Sequence, residues 1–143
     1  MIAVDSNILV YAHRSDSRFH DLAAGALRSL VAAGDPWGLP WSCVHEFLSV
    51  VTRPCLYEPP TDLKRALAQV QAWVDSPSAM LLSETPCHLE ILADLLLRSP
   101  AAGLRVHDAR IAAICIGNGV TEIWTSDRDF NRFPINVSNP VAG

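Results

Sequence analysis

The sequence predicts an α/β domain built on a mostly parallel sheet. Short apolar runs alternate along the chain with longer stretches of helical composition, about ten to fifteen residues each. No internal repeat, low-complexity tract or Gly/Ser-rich linker interrupts this alternation. The chain has 143 residues, and 50% of them are hydrophobic, which is the size and composition of one folded unit. We therefore expect a single domain over residues 1–143.

Run length and composition predict each element in turn. Five short apolar runs are predicted as strands, at residues 1–4, 37–39, 79–82, 122–125 and 135–137. Five longer stretches are predicted as helices, at residues 19–33, 42–53, 62–74, 88–97 and 106–116, and the apolar patch at residues 8–12 is predicted to belong to a further helix, the first in the chain. Parallel strands need such crossover helices between them, so the order of the elements supports the predicted sheet.

Capping and breaking residues set the predicted helix ends. Asn7 is expected to cap the first helix, Ser42 the third, and Thr61 or Asp62 the fourth. The Gly-Asp-Pro sequence at 34–36 ends the second helix. In the second half, residues 99–103 are predicted as a loop, and the Asn-Gly pair at 118–119 ends the last helix.

The charge balance excludes one mode of nucleic-acid binding. Eleven Lys and Arg stand against fifteen Asp and Glu, for a formal net charge of −4. Such a chain does not grip nucleic acid by bulk positive charge, although locally recruited cations leave nucleic acid open as a partner.

The four cysteines are widely spaced, with no CxxC pair and no zinc-finger spacing, so we expect reduced and mostly buried thiols. The N-terminus has no signal-peptide pattern, and no apolar run is long enough to span a bilayer. We therefore expect a cytoplasmic location and no membrane association.

Four acidic residues are candidates for chemistry. Asp5 and Asp127 follow predicted strands, and ligands of open parallel sheets bind beyond the carboxyl ends of the strands. Asp108 begins an apolar stripe on its helix, so its carboxylate needs a partner, either a helix cap, an arginine or a cation. Glu46 lies away from the main apolar stripe of its helix, and periodicity alone makes it a flanking residue paired with His45 or Arg53.

The motifs around these acids resemble those of the PIN-domain ribonucleases. The resemblance rests on D-S-N at residues 5–7, on Glu46, on H-D-A at 107–109 and on T-S-D-R-D-F at 125–130. Their order and spacing, over nearly the whole chain, are similar to those of the VapC-type toxins of prokaryotic toxin–antitoxin pairs. The fold implied is a three-layer α/β/α sandwich with about four or five strands.

The resemblance also implies a set of site residues. Four acids would surround one or two Mg²⁺ or Mn²⁺ ions: Asp5, Glu46, Asp108 and Asp127. Asp129 would be an auxiliary ligand. Asn7 and Thr125 would orient the acids, and Ser6, in place of a commoner threonine, keeps a hydroxyl that can bind a carboxylate. Carboxylate oxygens without Cys or His ligands suit these cations better than zinc.

The activity implied is a metal-dependent endoribonuclease in which water activated by the cation attacks an RNA phosphodiester and translation is inhibited. A VapB-type antitoxin would cover the site, and the toxin would form a homodimer and a larger assembly with the antitoxin. We expect residues 47–51 to form part of the antitoxin groove, with ordinary core as the alternative.

Two other functions fit parts of the pattern. A phosphatase of the haloacid dehalogenase type also begins with an acid after the first strand, but it needs Asp where this chain has Asn7 and a late lysine where this chain has none. A catalytically inactive PIN-like module would bind RNA or protein only, and the retained set of four acids argues against it.

Overall fold

A five-stranded sheet lies at the centre of the computed structural model, which describes residues 1–99 and 102–143. The strands are β1 (Ile2–Val4), β2 (Trp37–Pro40), β3 (Ala79–Leu82), β4 (Glu122–Trp124) and β5 (Asn136–Ser138). Their order in the sheet is β3-β2-β1-β4-β5, and every neighbouring pair is parallel. The predicted parallel α/β architecture is confirmed.

Helices connect the strands. The α-helices are α1 (Ser6–His13), α2 (His20–Ala32), α3 (Trp41–Val51), α4 (Leu63–Val74), α5 (His88–Arg98) and α6 (Ala102–Gly117). A short 3₁₀ helix, Arg128–Arg132, follows β4.

The helices pack as two groups. Helix α1 packs on α2 and α3, and α3 packs on α4, whereas α5 packs on α6. The chain crosses the sheet in one direction from β1 to β3 and returns from β3 to β4. Because crossovers between parallel strands are right-handed, the outward and return helices lie on opposite faces, which gives the predicted α/β/α sandwich.

The core excludes one predicted partner surface. Phe47 and Val51 are completely buried, and the ring of Phe47 meets the ring of Trp73 edge-on, with 4.8 Å between centroids. The expectation that residues 47–51 line an antitoxin groove is therefore wrong for these two side chains. They fill the space between α3 and α4, the ordinary use of an apolar helical stripe.

Two capping predictions are wrong. The N-cap of α1 is Asp5, whose carboxylate accepts from the backbone N–H of Ser6 at 2.7 Å. Helix α3 begins directly after β2 at Trp41, and the buried Ser42 hydroxyl has no hydrogen-bond partner among the described residues. In both cases the helix begins within two residues of the end of a strand, so the cap lies earlier in the chain than composition indicates.

Helix α6 begins earlier than its apolar run predicts. It starts at Ala102, so residues 102 and 103 of the predicted loop are helical, whereas residues 100 and 101 lie outside the described part of the chain. Ala and Leu favour helix strongly, and one Gly between them costs only about 1 kcal/mol.

All four cysteines are free, as predicted, but only Cys43 and Cys115 are buried, whereas Cys55 and Cys87 are exposed. Over the described ranges, none of the helices combines the length and apolar character needed to cross a membrane. The cytoplasmic location stays a prediction.

Candidate functional site

The candidate site lies where the chain changes direction across the sheet. Strand β1 is flanked by β2 on one side and β4 on the other, so the helices that follow β1 and β4 leave in different directions. This arrangement opens a crevice at the carboxyl ends of the two strands. Asp5 follows β1 directly, and Thr125, Ser126 and Asp127 follow β4.

Asp5 is a buried carboxylate with a nearly complete set of donors. Asp5 is only 4% exposed, and it is the N-cap residue of α1. Oδ1 accepts from the Ser6 N–H at 2.7 Å and from the Cys43 thiol at 3.6 Å, and the Ser6 hydroxyl lies at 3.4 Å. Oδ2 accepts from the Thr125 hydroxyl at 2.7 Å and from the Asn7 amide at 3.3 Å. These donors hold the carboxylate in one orientation.

Thr125 connects the two strand ends. Its hydroxyl donates to Asp5 and accepts from the Asn7 side-chain amide and from the Asp127 N–H, both at 3.0 Å. The Asn7 carbonyl in turn accepts from the Ser126 N–H at 3.2 Å. The side chains of Asn7 and Thr125 thus both contact the Asp5 carboxylate, and their role in orienting the acids stays a prediction.

The environment of Asp5 raises its pKa from the usual 3.8 to about 6. Burial is the main cause, and the negative charge of Glu46 adds to it. The hydrogen bonds from Thr125 and Ser6 act in the opposite direction. Burial raises the pKa of Asp5 by more than the hydrogen-bond donors lower it. A nearby positive charge would therefore stabilise the ionised carboxylate.

Glu46 reaches this region by way of α3. Cys43 lies one turn before it, and the Cys43 thiol contacts Asp5, so the same side of the helix faces the strand ends. The negative charge of Glu46 raises the pKa of both Asp5 and Asp108. Within the described ranges Glu46 forms no ion pair, and Arg53 donates to Ser49 instead, so the predicted pairing with His45 or Arg53 is wrong.

Asp108 lies in the second turn of α6, because that helix begins at Ala102. A first-turn helix cap therefore does not explain this carboxylate. Partial burial raises its pKa, and the charge of Asp127 is the next largest cause. Asp129 and Glu46 raise it further, while Arg105 lowers it. The charges of the predicted acids thus act on one another across four separate elements.

Asp127 and Asp129 are joined by the local turn. Asp127 caps the 3₁₀ helix, and its Oδ1 accepts from the Asp129 N–H at 2.9 Å. The Asp129 side chain is 42% exposed and pairs with Arg105 and, at 3.6 Å, with Arg132. Asp127 therefore has one oxygen engaged by backbone, and Asp129 is engaged by arginines.

Arg105 is a site residue that sequence reasoning missed. Its guanidinium donates to Asp129 and lies 4.0 Å from Oδ2 of Asp108, three residues later on α6. The i, i+3 spacing of Arg105 and Asp108 was the available signal, but the predicted helix began after residue 105.

The donor set fits a hard divalent cation. The acids offer oxygen ligands, and the raised pKa values of Asp5 and Asp108 reflect repulsion and burial that a cation would relieve. As the side chains stand, no three His, Cys, Asp or Glu in residues 1–99 and 102–143 converge closely enough to hold a metal ion. Binding by this set therefore requires side-chain rotation.

Two concave surfaces differ in character. A cleft of about 300 Å³ borders the acids between α3 and α6, and it is lined by Ser42, Glu46, His107, Arg110 and Ile111. A larger apolar groove of about 570 Å³ lies between α1, α2 and α4 and contains none of the acids described above. The smaller, polar cleft is the one that adjoins the candidate chemistry.

A parallel α/β/α sandwich with carboxylates at its crossover point is the architecture of a class of nucleases, and comparison with known proteins identifies the family. The PIN domain matches residues 2–136, and the chain belongs to the PIN-domain family.

Relatives within this family are VapC ribonucleases. Ribonuclease VapC43 of Mycobacterium tuberculosis is 38% identical over 134 residues, which cover 93% of this chain and 90% of that protein. The predicted enzyme class, a ribonuclease that hydrolyses phosphodiester bonds, is confirmed by these relatives.

Solved structures share the fold at low identity. The VapBC2 complex of Rickettsia felis, bound to a promoter DNA fragment, is similar with a TM-score of 0.71 at 17% identity, covering 97% of this chain and 98% of that one. Mycobacterium tuberculosis VapC20, a toxin that cleaves the sarcin-ricin loop, is similar with a TM-score of 0.65 at 17% identity. The match covers 92% of this chain and 93% of that one.

The raised pKa of Asp5 predicts how stability varies with pH. Between pH 3.8 and 6 the folded chain binds more protons at this residue than the unfolded chain, so the free energy of unfolding falls as pH rises through that window. Asp5→Asn removes this dependence. In EDTA, we expect the free energy of unfolding of the wild type to fall between pH 4.5 and pH 7 by about 2 kcal/mol more than that of the variant. Urea unfolding followed by circular dichroism measures the difference in unfolding free energy between the wild type and Asp5→Asn. A difference that does not change with pH would contradict the burial argument.

Proposed function

We propose that this chain is a Mg²⁺- or Mn²⁺-dependent endoribonuclease that acts as a toxin by cutting RNA and inhibiting translation. The observation that carries the proposal is the junction of Asp5, Thr125 and Asp127 at the ends of β1 and β4. Asp108 and Glu46 act electrostatically on the same place. We assign the ligand role to Asp5, Glu46, Asp108 and Asp127, with Asp129 as an auxiliary ligand.

The chain's own residues prepare this site in three ways. Thr125, Asn7 and the Ser6 N–H hold Asp5 in one orientation, so little rotamer entropy is lost when a cation binds. Burial keeps the Asp5 carboxylate poorly solvated, which strengthens its attraction for positive charge. When bound, one or two divalent cations would supply an activated water and neutralise charge on the phosphate.

RNA of the translation machinery is the substrate class that we propose. VapC20 shares this fold and is described as cleaving the sarcin-ricin loop. The polar cleft beside Glu46 supports the choice, because His107 and Arg110 line it and provide ring and guanidinium groups suited to a nucleotide. Arg110 is held in place by Glu84, with Nη2 and Oε1 2.7 Å apart.

A VapB-type antitoxin is the proposed partner, and we assign it the apolar groove between α1, α2 and α4. Ala24, Leu27 and Val31 of α2 and Trp73 of α4 line that groove, and Arg28 lies on its edge. An amphipathic antitoxin segment with apolar side chains and an acidic edge fits both the groove and Arg28. This assignment replaces residues 47–51, of which Phe47 and Val51 are buried in the core.

We also propose a homodimer that uses α5. Leu89 and Leu97 on this helix are 75% and 88% exposed, far more than leucines usually are in a folded chain. Burying them against a second copy would remove apolar area from water, at about 25 cal/mol per Å².

Asp108→Asn tests the catalytic proposal. It keeps the shape of the side chain and removes the negative charge, so we expect Mg²⁺-dependent cleavage of total bacterial RNA to fall at least about 100-fold. Asp94→Asn is the matched control, because Asp94 is an exposed acid on α5 that pairs with Arg98. Gel assays with Mg²⁺ or EDTA, with circular dichroism to check folding, give the result. Full Mg²⁺-dependent activity of folded Asp108→Asn would overturn the proposal.

Ala24→Trp tests the antitoxin groove. The indole fills the groove without touching the acids, so we expect RNA cleavage to persist while co-purification with the antitoxin encoded beside the gene is lost. Ala33→Trp, at the exposed end of α2 and outside this groove, is expected to retain the antitoxin. Retention by Ala24→Trp would place the antitoxin elsewhere.

Replacing both Leu89 and Leu97 with Lys tests the dimer. We expect the mass from light scattering to fall from twice 15.6 kDa to one chain, because two charges cannot be buried in an apolar contact. The matched control makes the same change to Lys at Leu63 and Leu67 of α4. These two leucines are 57% and 49% exposed. An unchanged mass for the α5 variant would exclude this surface.

A further inference from the structure

An arginine of this chain lies among the acids that we assign to the cation. Arg105 donates from Nη1 to Oδ2 of Asp129, and the same nitrogen lies 4.0 Å from Oδ2 of Asp108. The Arg105 side chain is 22% exposed and that of Asp129 is 42% exposed, so the ion pair is partly exposed to solvent. A single guanidinium thus contacts or closely approaches two of the five assigned carboxylates.

Arg105 and Arg132 together hold the carboxylate of Asp129. Asp129 directs Oδ2 to Arg105 and Oδ1 toward Arg132, which leaves neither oxygen free of an arginine. In the described part of the chain, no three potential ligands converge on one point. The positive charge of Arg105 lowers the pKa of Asp108, whereas the neighbouring acids raise it, so Arg105 offsets part of the repulsion at that carboxylate.

The contacts of Arg105 allow it to leave. Among the described residues, its buried Nε has no hydrogen-bond partner, so the fork of five donors is only partly satisfied. A structural arginine that is fixed in a protein normally satisfies these donors. The long side chain can therefore exchange its carboxylate contacts for water or phosphate without breaking a complete network.

We propose that Arg105 is an internal counter-ion of the acidic site and that a divalent cation binds by displacing its guanidinium from Asp129 and Asp108. The inference rests on the proposed function, because the cation is the one assigned there. Cation binding is then an exchange of one positive group for another, and the affinity for the cation is lowered by whatever free energy holds Arg105 in place.

Mn²⁺ titration of the full chain tests this exchange. The electron paramagnetic resonance signal of free Mn²⁺ gives the dissociation constant without reference to activity. We expect Arg105→Gln to bind Mn²⁺ about fivefold more tightly than the wild type, the effect of removing a partly exposed ion pair. Arg105→Lys keeps the charge but loses the fork and should lie between the two. Arg98→Gln, which breaks an exposed pair on α5, is the matched control and should equal the wild type.

The outcomes separate this inference from the proposed function. If the wild type binds Mn²⁺ and cuts RNA but Arg105→Gln binds Mn²⁺ equally or more weakly, the counter-ion role is wrong and the nuclease proposal stands. If no variant binds Mn²⁺ and the wild type cuts no RNA, both fail. Circular dichroism checks folding, and if Arg105→Gln does not fold, an affinity of Arg105→Lys no higher than that of the wild type overturns the inference.

Discussion

The hydrogen bond from Thr125 to Asp5, 2.7 Å long, is the contact on which the rest of the site depends. It joins the carboxyl ends of β1 and β4, the two strands between which the chain reverses its course across the sheet. A buried carboxylate is tolerated only when donors surround it, and Thr125, Asn7 and Ser6 provide them. The same donors fix the direction of the carboxylate, so one set of contacts both stabilises the fold locally and orients the candidate ligand.

Charge is the second constraint on this site. Glu46, Asp108 and Asp127 come from separate elements. The negative charge of Glu46 acts on both Asp5 and Asp108, and that of Asp127 acts on Asp108. The pKa of Asp5, about 6, shows that its hydrogen bonds do not fully offset the effects of burial and of the charge of Glu46. We propose that a bound divalent cation would relieve this repulsion and that, without the cation, Arg105 offsets part of it around Asp108 and Asp129. The chain's formal charge of −4 equals in number the four assigned acids, so the remaining Asp and Glu balance the eleven Lys and Arg.

Much of the fold was predictable from the sequence because short apolar runs and amphipathic stretches follow different periods. The helix starts were less predictable. Asn7 was expected to cap α1, but Asp5 is the cap, since that one residue separates the strand from the helix. Asp5 and Asp127 were indicated by their places after strands. Glu46 required the family resemblance, because periodicity does not show that the Cys43 side of α3 contacts Asp5. Arg105 was missed because the predicted helix began after residue 105, which hid its i, i+3 spacing to Asp108, and because its other partner, Asp129, lies 24 residues away.

The separation of 120 residues between Asp5 and Thr125 has a consequence for the making of the protein. At synthesis rates of roughly 5 to 20 residues per second, about 6 to 24 seconds pass between the synthesis of the two residues. During that interval Asp5 lacks the hydroxyl that orients it, and Asp108 and Asp127 join it only late. A nascent chain therefore lacks the hydrogen bond that joins the ends of β1 and β4 until its last strands have been made.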